Sequence, residues 1–272
     1  MIYLCREMGD DEMRAFFFDY DGTIVDDNTK SMTKGTLQAL QALHDQGDLV
    51  FVNTGRTKSI LDPELYSLPL DGMILGCGTY VEYHGQILLD EGVPKVNHKD
   101  IVKIFKDASV DTFLEGKQNL YVSEHIQNPF LLAILARYQK NHTPVHSIEE
   151  DDKCFSKVFI CYNDVSKKAE TKQKLSTYFT YIDRGEDRAE LVPKGFSKAT
   201  GIQVILDHLG MNQQDCYVFG DSNNDLPMFE FIEHSILIGG GENPELSSKV
   251  MLSSDAASED GITHALQKLN IL

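Results

Sequence analysis

The sequence of 272 residues lacks two features that would tie it to a membrane or a secretory route. It has no run of about 20 apolar residues, the length that spans a bilayer as a helix. Its start also lacks the basic segment followed by an apolar segment that is typical of a signal peptide. We therefore expect a soluble, cytoplasmic protein.

Basic residues are scarce. Lys and Arg number 25 against 42 Asp and Glu, so the formal net charge is −17 at pH 7. The sequence contains no basic cluster that would hold a nucleic-acid backbone, and an acidic surface repels polyanions. Nucleic acid and anionic membrane are therefore not expected partners. A small phosphorylated metabolite is still compatible with this charge if cations make its site locally positive.

Cysteine is also sparse, and its spacing excludes two classes of protein. The five cysteines are odd in number and include no CxxC pair. This pattern favours reduced, packed thiols over a disulfide framework or a zinc site.

The most informative segment that is present is Asp19-Tyr20-Asp21-Gly22-Thr23, which follows the apolar run 15–18. Four apolar residues before an Asp/Gly turn are typical of a short buried strand of an α/β sheet, with both carboxylates at its carboxyl end. Two ionised acids held close together are costly without a cation or a shared proton. The segment predicts a metal site, a shared proton or both, although alone it is equally compatible with an ordinary turn.

Two further apolar runs end in polar turns. The run 49–52 leads into Asn53-Thr54-Gly55-Arg56, where a hydroxyl can donate to a phosphate oxygen. The run 216–219 leads into the segment 220–225, in which Asp221 and Asp225 can contribute to an oxygen-rich Mg²⁺ site. The purely structural alternatives are a hydroxyl that hydrogen-bonds to nearby backbone for Thr54 and helix capping for Asp221 and Asp225.

The last candidate site residue is a lysine near the start of a predicted helix. Lys198 precedes apolar residues at three- and four-residue spacings, which predict a helix. A cation at that point can neutralise a nucleophile together with its phosphoryl group. Lys194 is close enough to be the alternative, and either lysine could instead be a solvated residue at the helix end.

The four segments DYDGT, NTGR, KGFSK and GDSNND occur in the order found in the haloacid dehalogenase-like superfamily of phosphohydrolases, which the chain resembles. The distance from Arg56 to Lys198 exceeds what one crossover helix requires, so a second domain is predicted between them. This layout is similar to the Cof-type branch, which inserts an α/β cap of class IIB at that place.

The resemblance implies a role for each matching residue. Asp19 would be the nucleophile that forms an aspartyl-phosphate, and Asp21 would be the general acid and then the base. The expected phosphate-binding residues are Thr54, Gly55, Lys198 and Asn224, of which Thr54 and Lys198 also count as catalytic. The expected Mg²⁺ ligands are Asp19, Asp21 through its backbone carbonyl, Asp221 and, in the outer shell, Asp225. We leave Arg56 out of the catalytic set, as a surface residue or a salt-bridge partner.

The predicted fold is α/β, with a doubly wound, mainly parallel, Rossmann-like core sheet and an inserted α/β cap. The core comprises residues 13–88 and 188–272, and the cap comprises residues 89–187. Residues 1–12 precede the usual start of the family and are interpreted as an N-terminal extension.

The predicted function is that of a Mg²⁺-dependent phosphatase. It would hydrolyse a small phosphorylated metabolite, such as a sugar phosphate or a phosphorylated cofactor, through an aspartyl-phosphate. A phosphotransferase or mutase is the alternative among enzymes. Among proteins that are not primarily enzymes, the alternative is a regulatory protein that binds a phosphorylated ligand with little turnover.

Overall fold

The computed structural model describes residues 13–239 and 244–272. The predicted N-terminal extension, residues 1–12, lies outside the described residues. The strands are β1 (Ala15–Phe18), β2 (Leu49–Asn53), β3 (Gly72–Leu75), β4 (Tyr80–Tyr83), β5 (Gln86–Asp90), β6 (Val110–Glu115), β7 (Leu120–Val122), β8 (Val145–Ser147), β9 (Lys157–Tyr162), β10 (Phe179–Asp183), β11 (Arg188–Pro193), β12 (Cys216–Gly220), β13 (His234–Ile238) and β14 (Leu252–Ser254). The α-helices are α1 (Lys34–Gln46), α2 (His98–Ala108), α3 (Pro129–Lys140), α4 (Lys168–Leu175), α5 (Lys198–Leu209), α6 (Leu226–Phe231), α7 (Pro244–Ser247) and α8 (Gly261–Lys268).

The larger sheet has eight strands within the described residues, in the order β14-β13-β12-β1-β2-β3-β4-β5. Neighbouring strands are parallel from β14 to β3, and β4 and β5 add an antiparallel hairpin at one edge. The strands that carry three of the four motifs, β1, β2 and β12, are adjacent at its centre. The prediction of a mainly parallel sheet is confirmed.

Helices cover both faces of this sheet. On one face, Leu40 and Leu43 of α1 pack in the same core as Leu266 of α8. On the other face, Ile202 of α5 and Met228 of α6 pack in a second core. The central strands are therefore buried on both sides, which explains why they are continuous apolar runs rather than alternating ones. This arrangement confirms the doubly wound fold.

Helix α1 begins and ends at residues that suit the two helix ends. The Thr33 hydroxyl accepts a hydrogen bond from the Thr36 amide at 3.1 Å, which satisfies one of the free amides at the helix start. Gly47 ends the helix in a left-handed conformation with a φ of 91°.

The smaller sheet has six strands in the described residues, in the order β10-β11-β9-β6-β7-β8. Its strand pairs are antiparallel except for β7 and β8. Strand β11, residues 188–193, pairs with β9 and β10, so the prediction that the core resumes at residue 188 is wrong. Strand β5 likewise pairs with β4 through Asp90, beyond the predicted boundary at 88. The chain leaves the larger sheet after Asp90 and returns after Pro193, and we call residues 91–193 the inserted segment.

The structure can be searched for membrane-spanning helices and for the environment of the cysteines within the described residues. No helix in residues 13–239 and 244–272 is long and apolar enough to cross a membrane. The four cysteines in these residues are free thiols. Cys77, Cys161 and Cys216 are buried, and Cys154 is exposed.

Candidate active site

The loops after β1, β2 and β12 meet at the carboxyl edge of the larger sheet. Asp19 directly follows β1, is only 4% exposed, and donates its amide to the Phe219 carbonyl at 2.8 Å. That bond joins the end of β1 to the end of β12, so Asp221 is brought beside Asp19. Because β2 flanks β1 on the other side, Thr54 reaches the same edge. The structure thus brings together residues from three separate segments.

Three carboxyl groups cluster at this edge. One oxygen from each of Asp19, Asp221 and Asp225 lies within 4.8 Å of the others. Gly22 makes room for this cluster, because it has a φ of +76° and a Cβ at that position would lie 2.6 Å from an Asp221 carboxylate oxygen. Any side chain at position 22 would therefore displace Asp221 or strain the turn.

The crowding changes the protonation of two members of the cluster. Burial raises the pKa of Asp19 to about 7, although the neighbouring ammonium of Lys198 opposes this shift. Burial and the nearby Asp19 carboxylate raise the pKa of Asp221 to about 9. Carboxylates in this situation require protons or a cation. An all-oxygen donor set of this kind fits Mg²⁺, which prefers hard oxygen ligands.

Lys198 is the cation at the centre of the site. It is the first residue of α5, whose start is capped by the Ser197 hydroxyl, and its side chain is fully buried. Its Nζ lies 2.6 Å from Asp19 Oδ1 and 2.5 Å from Asp225 Oδ1. Lys194, the alternative considered from the sequence, is exposed on the turn before the helix.

Asp225 organises the loop that carries Asp221. Its Oδ1 contacts Lys198, and its Oδ2 accepts hydrogen bonds from the amides of Asp221 and Ser222 at 3.0 and 2.9 Å. Both carboxylate oxygens are therefore engaged within the protein. This geometry favours a positioning role for Asp225 over direct contact with a metal.

A cavity of about 490 Å³ lies at this edge of the sheet. It is lined by Thr54, Gly55 and Asn224, together with Asp19, Asp21 and Asp221. The Thr54 hydroxyl oxygen accepts from the Arg56 amide at 3.1 Å, which leaves its hydrogen available to a ligand oxygen. Asn224 accepts from the Ser222 hydroxyl at 3.0 Å, so its amide nitrogen remains available for a phosphate oxygen. The three residues lie where the sequence predicts a phosphate site.

Asp21 is not part of the carboxyl cluster and contacts Arg56 instead. Its two carboxylate oxygens accept from Arg56 Nε and Nη2, both at 2.6 Å, and Lys30 Nζ lies 3.4 Å away. Burial alone would raise the pKa of Asp21, but the hydrogen bonds and charge of Arg56 outweigh it and lower the value to about 2. Asp21 is thus ionised here and must lose this contact before it can act as a general acid.

Of the two alternatives for Arg56, the structure shows a salt-bridge partner and not a surface residue. Its side chain is buried, lines the cavity and links Asp21 to Asp62, with 2.7 Å between Arg56 Nη1 and Asp62 Oδ2. Asp62 in turn pairs with Arg137 of the inserted segment at 3.0 Å. The position of Arg56 directly after Thr54-Gly55 was the available signal, but its partner Asp21 is 35 residues away in sequence.

Substitution of Arg56 tests this link. We expect Arg56→Ala to raise the pKa of Asp21, because two charge-assisted hydrogen bonds are lost, and to misplace its carboxyl group. Turnover should fall by about 10- to 100-fold, as expected for a displaced catalytic group. The limb of the pH–rate profile that reports Asp21 should move to higher pH, and Arg56→Lys should move it less. An unchanged profile in Arg56→Ala would contradict the assigned contact.

The carboxyl edge of this doubly wound sheet thus carries a buried aspartate–lysine pair and a second aspartate two residues on. A family model described as haloacid dehalogenase-like hydrolase matches residues 16–266. The chain belongs to this family, as its four motifs predict, and it is an enzyme of the hydrolase class.

Individual relatives extend over most of the chain. YkrA of Bacillus subtilis is 26% identical over 263 residues, covering 96% of this chain and 99% of YkrA. The 5-amino-6-(5-phospho-D-ribitylamino)uracil phosphatase YitU of the same organism is 24% identical and covers 92% of this chain and 95% of YitU. A solved structure of a subclass IIB sugar phosphatase superposes with a TM-score of 0.83 at 24% identity, over 96% of this chain and 100% of that one. The chain shares the fold of that structure.

Proposed function

We propose that this protein is a Mg²⁺-dependent phosphatase that hydrolyses a small phosphorylated metabolite through an aspartyl-phosphate. The observation that carries the proposal is the contact of Asp19 with the buried ammonium of Lys198, together with an Asp221 carboxylate oxygen within 4.8 Å of an Asp19 oxygen. A carboxylate held beside a fixed cation can attack a phosphoryl group without the full repulsion between two anions.

In the proposed reaction, an Asp19 carboxylate oxygen attacks phosphorus, and the bond from phosphorus to the leaving oxygen breaks. Asp21, once protonated and released from Arg56, gives its proton to the leaving alkoxide. Asp21 then accepts a proton from the water that attacks the aspartyl-phosphate, which frees Asp19 and inorganic phosphate. Lys198, Thr54 and Asn224 hold the phosphoryl oxygens throughout. One water is consumed in each turnover, and both protein groups return to their starting states.

Asp19, Asp221 and the backbone carbonyl of Asp21 would hold the Mg²⁺, with Asp225 fixing the loop of Asp221. When bound, the ion neutralises negative charge on the phosphoryl group. The substrate class is supported by the family and by relatives whose names assign them a phosphorylated uracil derivative or a sugar phosphate.

The inserted segment is proposed to act as a cap over this site. It contributes half of the residues that line the cavity, from β6, α3, β9, β11 and, with Arg184, the loop before β11. Residues that close over a reacting phosphate exclude water and contact the leaving group. A cytoplasmic location, predicted from the sequence, is part of the same proposal.

Phosphate release tests the function directly. We expect the protein to liberate inorganic phosphate from p-nitrophenyl phosphate and from part of a panel of phosphorylated metabolites when Mg²⁺ is present. Excess chelator should lower the rate by at least about 100-fold, because a metal supplies several kcal/mol of charge stabilisation. Full activity in chelator would refute the metal requirement. Transfer to an added alcohol without phosphate release would instead identify a phosphotransferase.

Metal binding should also depend on pH in a direction set by the two raised pKa values. Without a cation, protonated Asp19 and Asp221 favour the folded state, and this contribution is lost as pH rises through about 7 and about 9. Mg²⁺ binds the deprotonated carboxylates and replaces the lost protons. We therefore expect Mg²⁺ to raise the melting temperature more at about pH 8 than at about pH 5. An Asp221→Asn variant should show a smaller increase, and an equal increase at both pH values would contradict the assignment.

A further inference from the structure

The loop between β2 and β3 carries an acidic residue, Asp62, that contacts both the site and the inserted segment. Its Oδ2 accepts a hydrogen bond from Arg56 Nη1 at 2.7 Å. Arg137 Nη2 donates to both carboxylate oxygens of Asp62 at 3.0 Å, and Asn141 Nδ2 donates to Oδ1 at 3.3 Å. Two guanidinium groups and one amide therefore fix this carboxylate, and each oxygen has at least two donors.

The same loop also packs against the inserted segment through apolar and backbone contacts. Ile60 is only 3% exposed, and the Thr143 hydroxyl donates to the Ser59 carbonyl at 3.0 Å. The other buried members of the apolar cluster around Ile60, in the part of the chain that the structure describes, all belong to the inserted segment: Phe113, Leu120, Leu131 and Cys161. The position of Asp62 is thus set by the inserted segment as well as by the larger sheet.

The guanidinium of Arg56 presents different nitrogens to its two acidic partners. Nε and Nη2 donate to Asp21, both at 2.6 Å, whereas Nη1 donates to Asp62. Its carbon also lies 5.0 Å from the centroid of the Tyr20 ring. Because a guanidinium is planar and its donors have a fixed geometry, a partner that fixes Nη1 also sets where Nε and Nη2 point.

Asp62 itself is not among the described residues that line the cavity, whereas Asp21, Arg56 and Arg137 are. Any influence of Asp62 on a bound molecule must therefore pass through a neighbour. The contact with Arg56 leads directly to Asp21, the proposed general acid. When Asp21 leaves Arg56 to serve the leaving group, Asp62 still holds the guanidinium in place.

We infer that Asp62 is a positioning residue: it fixes Arg56 and, through Arg56, the place of the Asp21 carboxyl group. Arg137 and Asn141 orient Asp62, so the inserted segment contributes to the placement of Asp21 by a route that does not pass through the substrate. The inference rests on the proposed phosphatase function. A displaced general acid slows the reaction most where the leaving group needs a proton, and least where the leaving group is good.

Turnover of two substrates by Asp62→Ala tests this role. The substrates are p-nitrophenyl phosphate and the aliphatic ester that the unmodified protein hydrolyses fastest. With Mg²⁺ present, kcat for the aliphatic ester should fall by about 10-fold, as expected for a misplaced catalytic group, with a smaller fall for p-nitrophenyl phosphate and little change in either KM. Glu64→Ala is the matched control, because Glu64 is an exposed acid of the same loop, and it should change neither value. Equal losses on both substrates, or none on either, would contradict the inference.

A double variant separates positioning from support of the fold. In an Asp21→Asn background, Asp62→Ala should have no further effect on kcat, because the group that Asp62 positions is already absent. Asp62→Asn should lose less activity than Asp62→Ala, since its amide oxygen can still accept from Arg56. A fall in kcat by the same factor with and without the Asp21 carboxyl group would show a purely structural role and overturn the inference.

The Nε–H group of Arg56 provides a readout that needs no turnover. Its resonance is assigned by its absence in Arg56→Lys, and its hydrogen exchange should be about 10-fold faster in Asp62→Ala, the scale of one lost charge-assisted hydrogen bond. Arg137→Met should accelerate the exchange less, and should add nothing to Asp62→Ala. Glu64→Ala should leave the exchange rate unchanged.

This measurement also separates the inference from the proposed function. If the unmodified protein releases no phosphate from any ester, the phosphatase function is refuted. Faster exchange in Asp62→Ala would then still support the positioning of Arg56 by Asp62. Unchanged exchange in Asp62→Ala would overturn that positioning, whether or not the protein hydrolyses phosphate esters.

Discussion

We expect Asp19→Asn to lose all turnover above background and to form no aspartyl-phosphate. Asn is nearly the same size as Asp but carries no anionic oxygen, so it cannot attack phosphorus, and the nucleophilic route is removed rather than slowed. The loss should therefore approach the full catalytic advantage of the enzyme, on the order of 10⁶-fold or more. Phosphate release and mass spectrometry of the protein after rapid quenching with substrate measure the two effects.

Two comparisons separate this effect from a general loss of acidity. Asp21→Asn should slow turnover by about 10²- to 10⁴-fold, the usual scale of general acid–base assistance, and should retain a phosphorylated protein when the leaving group is good. Asp207→Asn, on the exposed side of α5, should behave like the unmodified protein. A phosphoryl group trapped on any residue other than Asp19 would contradict the central assignment.

The sequence was sufficient to predict the core sheet and the residues at its carboxyl edge. Strands β1, β2 and β12 are short apolar runs that end in polar turns. Because both faces of these strands are buried, their apolar runs are continuous and can be recognised in the sequence. Lys198 was predictable because the helix that it begins has apolar residues at regular spacing. The structure places these side chains together, as expected of loops that follow adjacent parallel strands.

Contacts between residues that are distant in sequence were not predictable. Arg56 was left open as a surface residue or a salt-bridge partner, because only the folded chain shows its contacts with Asp21 and Asp62. The spacing of Leu37, Leu40 and Leu43 in α1 favours a single buried face, but Leu37 is 40% exposed, whereas Leu40 and Leu43 are buried. Spacing alone does not show how much of the apolar face of a helix packs against neighbouring elements.

The predicted boundaries of the inserted segment were wrong for a related reason. Strand β11 reads as a short apolar strand that would fit either sheet, and its partners are chosen by long-range pairing with β9 and β10. The strands β6, β7 and β8 were missed. Strand β6 is buried but carries Asp111 and Glu115, and β7 and β8 have three residues each, so none of them forms a long apolar run. The contacts of Lys157 with Glu115 and Glu190 are consequently visible only in the structure.

The second large effect is expected at Lys198, where a single substitution removes the cation from between two buried carboxylates. Lys198→Met keeps the length of the side chain but leaves Asp19 and Asp225 without their shared partner. Breaking a buried ion pair in this way costs about 3–5 kcal/mol of stability, because the remaining charges are uncompensated. Loss of a preorganised charge at a reacting phosphoryl group should also lower kcat by about 10³-fold.

A double variant distinguishes the two consequences. Lys198→Met combined with Asp225→Asn removes one of the unpaired charges, so the free energy of unfolding should recover in part and the two substitutions should be non-additive. Activity should not recover, since Asp19 still lacks the cation beside it. Lys194→Met, on the exposed turn before α5, is the control and should alter neither quantity. Recovery of activity together with stability in the double variant would show that Lys198 acts only on the fold, and the catalytic role proposed for it would be wrong.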